Sequence, residues 1–253
     1  SRTRLRRDVM QVIYGINPIL EVVLSHPAML EKIFVAEGRG GEAVQKILKL
    51  AADHRIPVEC SGRDRLEKLA PRRVHQGIVG FCREHAYATV DEVIAHRHEK
   101  SRYDLVVLLD SVTDPQNLGS IIRTAHCCGA NGLIIPENRA ASVTASVAKA
   151  SAGAFQYLPV AMVVNLVRTI EYLKEREFWI YGADAEARSD IRTPDYEGHI
   201  ALVMGSEGRG IRPLIRKNCD FLISIPMRGQ VASLNVSVAA GVILFEILRK
   251  WRN

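Results

Sequence analysis

The chain has 253 residues, 47% of them hydrophobic and 25% charged, which fits a globular protein of one large or two ordinary domains. Its 34 Lys and Arg exceed its 28 Asp and Glu, so the net charge of +6 is compatible with a polyanionic partner but does not require one. No apolar run approaches the length of a membrane span, which predicts no transmembrane helix. The five cysteines form no C-x-x-C pair and no zinc-like spacing, which predicts reduced thiols, no metal site and a cytoplasmic location.

Residues 9–84 alternate short strand patterns with amphipathic helical patterns, which predicts a small α/β domain. Asn17 and Pro18 are typical of the cap and first position of a helix. His75 precedes a strand and is best explained by its own turn, with RNA contact as the alternative. The predicted strands are Lys32–Ala36, Ile56–Cys60 and Ile78–Cys82, and the predicted helices are Glu42–His54 and Asp64–Leu69.

Residues 85–104 differ in composition from both flanking regions. They hold several charges, no glycine and only a short helical pattern at Val90–Ala95. We therefore predict a linker between two domains.

From residue 105 to 253 the strand patterns become continuous apolar runs, as expected for parallel strands buried on both faces. Helical patterns separate them, which predicts a doubly wound α/β domain whose ligands bind beyond the carboxyl ends of the strands. The predicted strands are Leu105–Leu109, Gly132–Ile135, Phe178–Tyr181, Ile200–Met204 and Phe221–Ile225. The predicted helices are Leu118–Cys128, Thr144–Ala150, Val163–Lys174, Arg212–Asn218 and a long one from Ser233.

Two loops that follow predicted strands carry polar groups of interest. In the first, Arg123 lies on the polar face of a predicted helix that starts near Asn117, although a surface salt bridge explains an isolated arginine equally well. The second, Gly205–Gly210, has three glycines that allow close approach of a ligand to the backbone. It matches neither the dinucleotide fingerprint nor the P-loop, and Glu207 within it suits a hydroxyl or amine donor.

The third loop leads from a predicted strand into the final helix. Ser233 is expected to cap that helix, and Asn235 then lies in an otherwise apolar first turn. An amide buried there without partners costs roughly 1–3 kcal/mol, so Asn235 either completes the cap or contacts a ligand. Three such loops at three strand ends indicate one composite site.

The three loops carry recognisable motifs. They are Asp114-Pro-Gln-Asn-Leu-Gly-x-Ile-x-Arg-Thr-Ala125, Met204-Gly-Ser-Glu-Gly-x-Gly210 and Ile225-Pro-Met followed by Ser233-Leu-Asn-Val-Ser-Val-Ala239. In this order they resemble the three motifs of the SPOUT-class RNA ribose 2'-O-methyltransferases of the TrmH/SpoU family. Tyr14-Gly-Ile-Asn-Pro-Ile-Leu-Glu21 and His75-Gln-Gly-Ile78 resemble the L30e-like RNA-binding domain of bacterial 23S rRNA guanosine 2'-O-methyltransferases.

The resemblance implies a parallel-sheet catalytic domain with a deep trefoil knot, a homodimer and S-adenosylmethionine as cofactor. It also implies roles for individual residues. Cofactor binding falls to Met204, Gly205, Ile225, Met227, Ser233 and Leu234, and the catalytic positions are Asn117, Arg123, Glu207, Ser233 and Asn235.

The function expected from the resemblance is methylation of a ribose 2'-hydroxyl in RNA, with a guanosine of 23S rRNA as the target. A tRNA 2'-O-methyltransferase is one alternative. The other is a non-catalytic RNA-binding or ribosome-assembly factor that keeps the fold without the chemistry.

Overall fold

The protein divides into two compact units, Ser1–Ala86 and Tyr87–Asn253. A computed structural model describes residues 10–25, 27–71, 73–83, 87–98, 101–138, 140–141, 145–230 and 233–251. Each unit is built around its own β-sheet.

The first unit is a four-stranded sheet with strand order β1-β4-β2-β3. Strands β2 and β3 are parallel, and β4 is antiparallel to both β1 and β2. Its elements are β1 (Met10–Tyr14), α1 (Ile16–Ser25), a 3-10 turn (Pro27–Met29), β2 (Leu30–Ala36), α2 (Glu42–Asp53), β3 (Val58–Ser61), α3 (Arg63–Leu69) and β4 (Ile78–Arg83).

The small α/β unit predicted for the N-terminal region is present, with two differences in its first elements. Strand β1 was not predicted, although four of its five residues, Met10, Val12, Ile13 and Tyr14, are apolar or aromatic. Helix α1 begins at Ile16, so Asn17 is its second residue and not its cap. The amide of Ile16 instead donates to the side-chain carbonyl of Gln76, 3.0 Å away.

Part of the predicted linker packs onto the second unit. Helix α4 (Val90–Ala95) begins with a capping box between Thr89 and Glu92, and Val93 is fully buried. The amide of Ala88 donates to the carbonyl of Val160. Residues 87–98 of the predicted linker thus fall within the second compact unit, residues 84–86 and 99–100 lie outside the described residues, and the domain boundaries stay a prediction.

The second unit is a seven-stranded sheet with strand order β7-β6-β5-β10-β8-β11-β9, and every pairing in it is parallel. Its strands are β5 (Leu105–Leu109), β6 (Gly132–Pro136), β7 (Val160–Val163), β8 (Phe178–Ala183), β9 (Ser189–Asp190), β10 (His199–Met204) and β11 (Phe221–Ser224). Its remaining helices are α5 (Pro115–Cys127), α6 (Ala145–Ala150), a 3-10 turn (Ala154–Gln156), α7 (Leu166–Lys174), α8 (Pro213–Asn218) and α9 (Val236–Trp251).

The core explains why the apolar runs predict this sheet. All five residues of β5 and all five of β6 are buried, as are the last five residues of β10. One close helix contact depends on a glycine: a Cβ on Gly119 of α5 would lie 2.4 Å from the Cβ of Ala150 in α6. Only glycine lets these two helices approach so closely.

The differences from the predicted elements of this unit lie in short or ambiguous segments. Strands β7 and β9 were not predicted, and Val163 belongs to β7 and not to the next helix. None of the described helices is both long and apolar enough to span a bilayer. The parallel α/β architecture is confirmed, while the L30e likeness and the trefoil knot stay predictions.

Candidate active site

The order of the central strands brings the candidate loops together. Strands β5, β10, β8 and β11 are neighbours and parallel, so the loops after them leave the same edge of the sheet. A cavity of about 290 Å³ lies there, near the lower end of the roughly 300–1,000 Å³ usual for ligand pockets. Its lining is largely apolar and includes seven residues predicted for the site: Met204, Gly205, Glu207, Ile225, Met227, Ser233 and Leu234.

The glycine-rich loop after β10 forms one wall of this cavity. The amide and carbonyl of Ser206 are bonded to the carbonyl and amide of Gly210, at 3.1 and 2.9 Å, so the loop is a closed turn. A Cβ on Gly205 would lie 2.1 Å from the backbone carbon of Gly210. Gly205 is therefore needed for the loop to fold back on itself, and Glu207 is held at the exposed turn.

Asn235 has two roles in the structure. Its Oδ1 accepts hydrogen bonds from the amides of Ser237 (2.9 Å) and Val238 (3.4 Å), so Asn235 is the N-cap of α9. The prediction that Ser233 caps this helix is wrong: Ser233 precedes α9 and lines the cavity. Because Oδ1 faces the helix, the Asn235 amide nitrogen points away from it.

That nitrogen connects two other loops. It donates to the Oδ1 of Asn117 at 2.9 Å and lies 3.5 Å from the Oε2 of Glu207, which is a long contact. Asn117 is in the first turn of α5, which begins at Pro115 under a cap from Asp114, earlier than the predicted start. Three of the predicted catalytic residues, one from each motif, therefore form one cluster.

Arg123 does not join this cluster. It is exposed on α5, and within the described part of the chain it makes no hydrogen bond with Asn117, Glu207 or Asn235. Six residues of helix place it about 9 Å along the axis from Asn117 and on a different face.

One pocket residue was missed by the sequence interpretation. Asp184 follows β8 and lines the cavity, where it is paired with Arg216 of α8. Its Oδ1 also accepts from the amide of Glu186 at 2.8 Å. Its place just after a predicted strand was the same signal that marked the other loops, but no recognised motif covers it.

The lining suits a ligand with an apolar ring system and a few hydrogen-bonding groups. Ile223, Ile225, Leu234 and Ile243 provide an apolar wall, and the glycine-rich backbone provides the close approach that a bulky ligand needs. Among the described residues, no group of three or more His, Cys, Asp or Glu is arranged to hold a metal ion.

Comparison with known proteins identifies the family. Residues 104–245 match the model of the SpoU rRNA methylase family, and residues 12–88 match the model for RNA 2'-O ribose methyltransferase substrate binding. The chain is 42% identical over 238 residues to YacO of Bacillus subtilis (strain 168), which is named for the TrmH family of tRNA/rRNA methyltransferases; the match covers 94% of this chain and 95% of YacO. The chain belongs to the SpoU/TrmH family.

Solved structures of SpoU/TrmH proteins match the fold. The SpoU methyltransferase AviRb of Streptomyces viridochromogenes, solved in complex with S-adenosylmethionine, is 26% identical with a TM-score of 0.66, covering 99% of this chain and 93% of AviRb. A TrmH/SpoU tRNA-modifying enzyme of A. aeolicus is 33% identical with a TM-score of 0.55, covering 63% of this chain and 79% of its own. SpoU methyltransferases use S-adenosylmethionine, so the predicted cofactor is confirmed for the family, as is RNA methyltransferase activity.

Proposed function

We propose that this SpoU/TrmH protein transfers a methyl group from S-adenosylmethionine to a ribose 2'-hydroxyl of RNA. The observation that carries the proposal is the Asn117–Asn235–Glu207 cluster beside a glycine-walled cavity. The match of residues 12–88 to the substrate-binding model of RNA 2'-O ribose methyltransferases supports it.

In this proposal the cavity holds the cofactor. Met204, Gly205, Ile225, Met227, Ser233 and Leu234 would line its binding site, as the motifs imply, and Asp184 joins them. Bound there, S-adenosylmethionine supplies an electrophilic methyl group on a sulfonium.

The residues at the cavity edge would orient the hydroxyl and help to remove its proton. Fixed orientation of reacting groups supplies roughly 7–11 kcal/mol in favourable cases, and proton transfer adds about 10²–10⁴-fold. Asn117, Asn235 and Glu207 offer neutral donors and a carboxylate for this task. The methyl moves to the ribose oxygen, S-adenosylhomocysteine leaves, and the hydroxyl proton passes to solvent or to an RNA phosphate.

Arg123 has a separate role in the proposal. Arginine stays charged in proteins and is a poor base, but its planar fork binds phosphate well. Its exposed position on α5 suits contact with the RNA phosphate beside the target ribose, or with the developing alkoxide.

The first unit would bind the RNA. Residues 1–86 contain 15 Lys and Arg against 10 Asp and Glu, whereas the rest of the chain contains 19 against 18. The carboxyl ends of β1, β2 and β3 and the start of β4 share one edge, where Arg39 and Arg73 lie exposed in loops and Arg63 is exposed at the start of α3. Arginine side chains bind nucleic-acid phosphates, so this edge is the proposed contact with the RNA backbone.

The proposed target is a guanosine of 23S rRNA, and tRNA is the second candidate. The A. aeolicus relative is named as a tRNA-modifying enzyme, and YacO is named for both RNA classes. Incubation with labelled S-adenosylmethionine and separate rRNA and tRNA pools, followed by mapping of 2'-O-methyl positions, tests both. Label in 23S rRNA at one guanosine supports the first, label in tRNA alone supports the second, and no transfer to either pool leaves a non-catalytic RNA-binding factor.

We also propose that the protein acts as a homodimer in the cytoplasm. Val238, Val242 and Phe245 form an exposed apolar stripe along α9, 51%, 39% and 55% exposed, which a second copy would cover. All five cysteines are free, which agrees with a reducing compartment. Light scattering should give twice the 28.1 kDa of one chain, and Phe245→Glu should halve the mass while Val164→Glu, at an 82% exposed site, does not. A wild-type mass of one chain would contradict the dimer.

A further inference from the structure

Asp110 is a buried carboxylate outside the recognised motifs. It follows β5, and its side chain has no exposed surface. Every other Asp or Glu side chain that forms an ion pair among the described residues is at least partly exposed. A charge removed from water in this way needs hydrogen-bonding partners.

The partners of Asp110 lie at both ends of the glycine-rich loop. Its backbone amide donates to the carbonyl of Met204 (2.7 Å), the last residue before the loop. Its Oδ2 accepts from the amide of Arg212 (2.8 Å) and its Oδ1 from the Nε of Arg212 (2.6 Å), just after the loop. One residue thus fixes the distance between the two ends of the loop that carries Gly205 and Glu207.

Asp110 also begins the segment that leads to α5. Ser111 donates its hydroxyl to the same carboxylate at 3.2 Å and has a φ of 65°, a left-handed conformation that is uncommon outside glycine. Asp114 then caps α5, and Asn117 follows in its first turn. Asp110 therefore connects the wall that holds Glu207 with the helix that holds Asn117.

A contribution to folding alone is a weak explanation for this pair. Buried ion pairs often stabilise a protein no better than apolar residues of the same volume, because desolvation offsets the attraction. Arg212 is 41% exposed, so solvent screens it further. The pair also holds the segment after β5 and the end of the glycine-rich loop in one arrangement.

We propose that Asp110 is a positioning residue for methyl transfer, which acts through Arg212 to hold the Gly205–Gly210 loop in register with Asn117 and Asn235. This inference rests on the proposed function, since it assigns the loop to the cofactor and Glu207 to the reacting hydroxyl. Misplacement of a reacting group by about 1 Å can cost about 10²-fold in rate.

The test uses the full-length protein and the variants Asp110→Asn, Arg212→Met and their combination. Asp220→Asn is the matched control, because Asp220 also accepts from a backbone amide (Ile180, 2.9 Å) and a cation (Lys174, 2.6 Å) but bonds neither end of the Gly205–Gly210 loop. The rate of amide hydrogen exchange in peptide 205–211 measures how firmly the loop is held, and this measurement does not require methyl-transfer activity. Steady-state kcat and the KM for RNA report its consequence.

Both single variants should speed exchange of the loop and lower kcat by about 10²-fold, with KM for RNA within twofold. The double variant should lose no more than either single one, because both remove the same interaction. Asp220→Asn should change neither exchange of the loop nor kcat. If either single variant fails to fold, Arg212→Lys carries the test, since it keeps a cation beside the buried Asp110 carboxylate while removing the Nε–H donor.

Unchanged loop exchange, an unchanged kcat, or losses that multiply in the double variant would each overturn the role of Asp110. A wild-type protein that transfers no methyl to RNA would instead refute the proposed function, and the exchange measurement would still decide whether Asp110 holds the loop.

Discussion

Two substitutions of Asn235 separate its role as a helix cap from its proposed catalytic role. Asn235→Ala removes the cap of α9 and the amide donor together. Asn235→Asp keeps an oxygen for the amides of Ser237 and Val238 but replaces the NH₂ group that faces Asn117 and Glu207. Asn and Asp are about equally good N-caps, so only the donor is lost.

The expected stabilities differ. Loss of an N-cap costs about 1 kcal/mol and loss of a hydrogen bond about another, so Asn235→Ala should lower the free energy of unfolding by about 2 kcal/mol. At about 2–4 °C per kcal/mol, its melting temperature should fall by roughly 4–8 °C. For Asn235→Asp, repulsion by the Glu207 carboxylate costs about 1–4 kcal/mol, and attraction to the start of α9 offsets only about 1 kcal/mol or less of it, so this variant should also lose some stability although its cap is kept.

The expected activities do not follow the stabilities. Removal of one fixed donor in an active site typically costs about 10²–10³-fold, so both variants should lose at least about 10²-fold in single-turnover methyl transfer. Asn165 supplies the control: it caps α7 with bonds of 2.9 and 3.3 Å to the amides of Val167 and Arg168 and does not line the cavity. Asn165→Ala should lose about 1 kcal/mol, the share of the cap alone, and keep full activity.

The reasoning is refuted if Asn235→Asp transfers methyl groups within about threefold of wild type. The side chain would then be a helix cap and nothing more. It is equally refuted if Asn165→Ala loses as much activity as Asn235→Ala, because loss of a cap alone would explain both.

Three further predictions concern the cavity and the thiols. Gly205→Ala should abolish S-adenosylmethionine binding in calorimetry, since its Cβ would lie 2.1 Å from backbone, whereas Gly229→Ala, with open space around it, should bind normally. Asp184→Asn should weaken the same binding about tenfold, as expected for loss of a charged acceptor, and a Kd within twofold of wild type would contradict its role. Burial raises the pKa of Cys219 to about 12, so its thiol stays protonated at pH 8. Iodoacetamide followed by mass spectrometry should therefore label the exposed Cys60 well before Cys219, and equal rates would argue against that burial.

The sequence predicts the central sheet well because its strands are apolar throughout. Leu105–Leu109 is buried on both faces, so no alternation obscures the pattern, and the predicted bounds are those of β5. Strand β7 was missed because Val160–Val163 runs directly into the apolar residues of α7. Strand β9 has only two residues, too few to show any periodicity.

The sequence predicted only part of the candidate site, because it does not show which residue caps α9 or which distant residues pair. Ser233 and Asn235 are both good capping residues, and local propensity cannot decide between them. The helix starts at Val236, which leaves Ser233 and Leu234 to line the cavity. The pairing of Asp110 with Arg212 spans 102 positions, and no local pattern reports a contact formed only when β5 and β10 pair.

Gly119 illustrates that most residues of the first motif serve the packing of helix α5. Its hydrogen side chain is required by the contact with α6, and Leu118, Ile121, Ile122 and Ala125 are buried around it, while Asn117 is the residue of this stretch that bonds another proposed catalytic residue, Asn235. Most of the motif is thus a signature of helix packing. A relative that had lost the chemistry could retain nearly all of it, so Asn117, Glu207 and Asn235 taken together are the better criterion for distinguishing an enzyme from an inactive homologue.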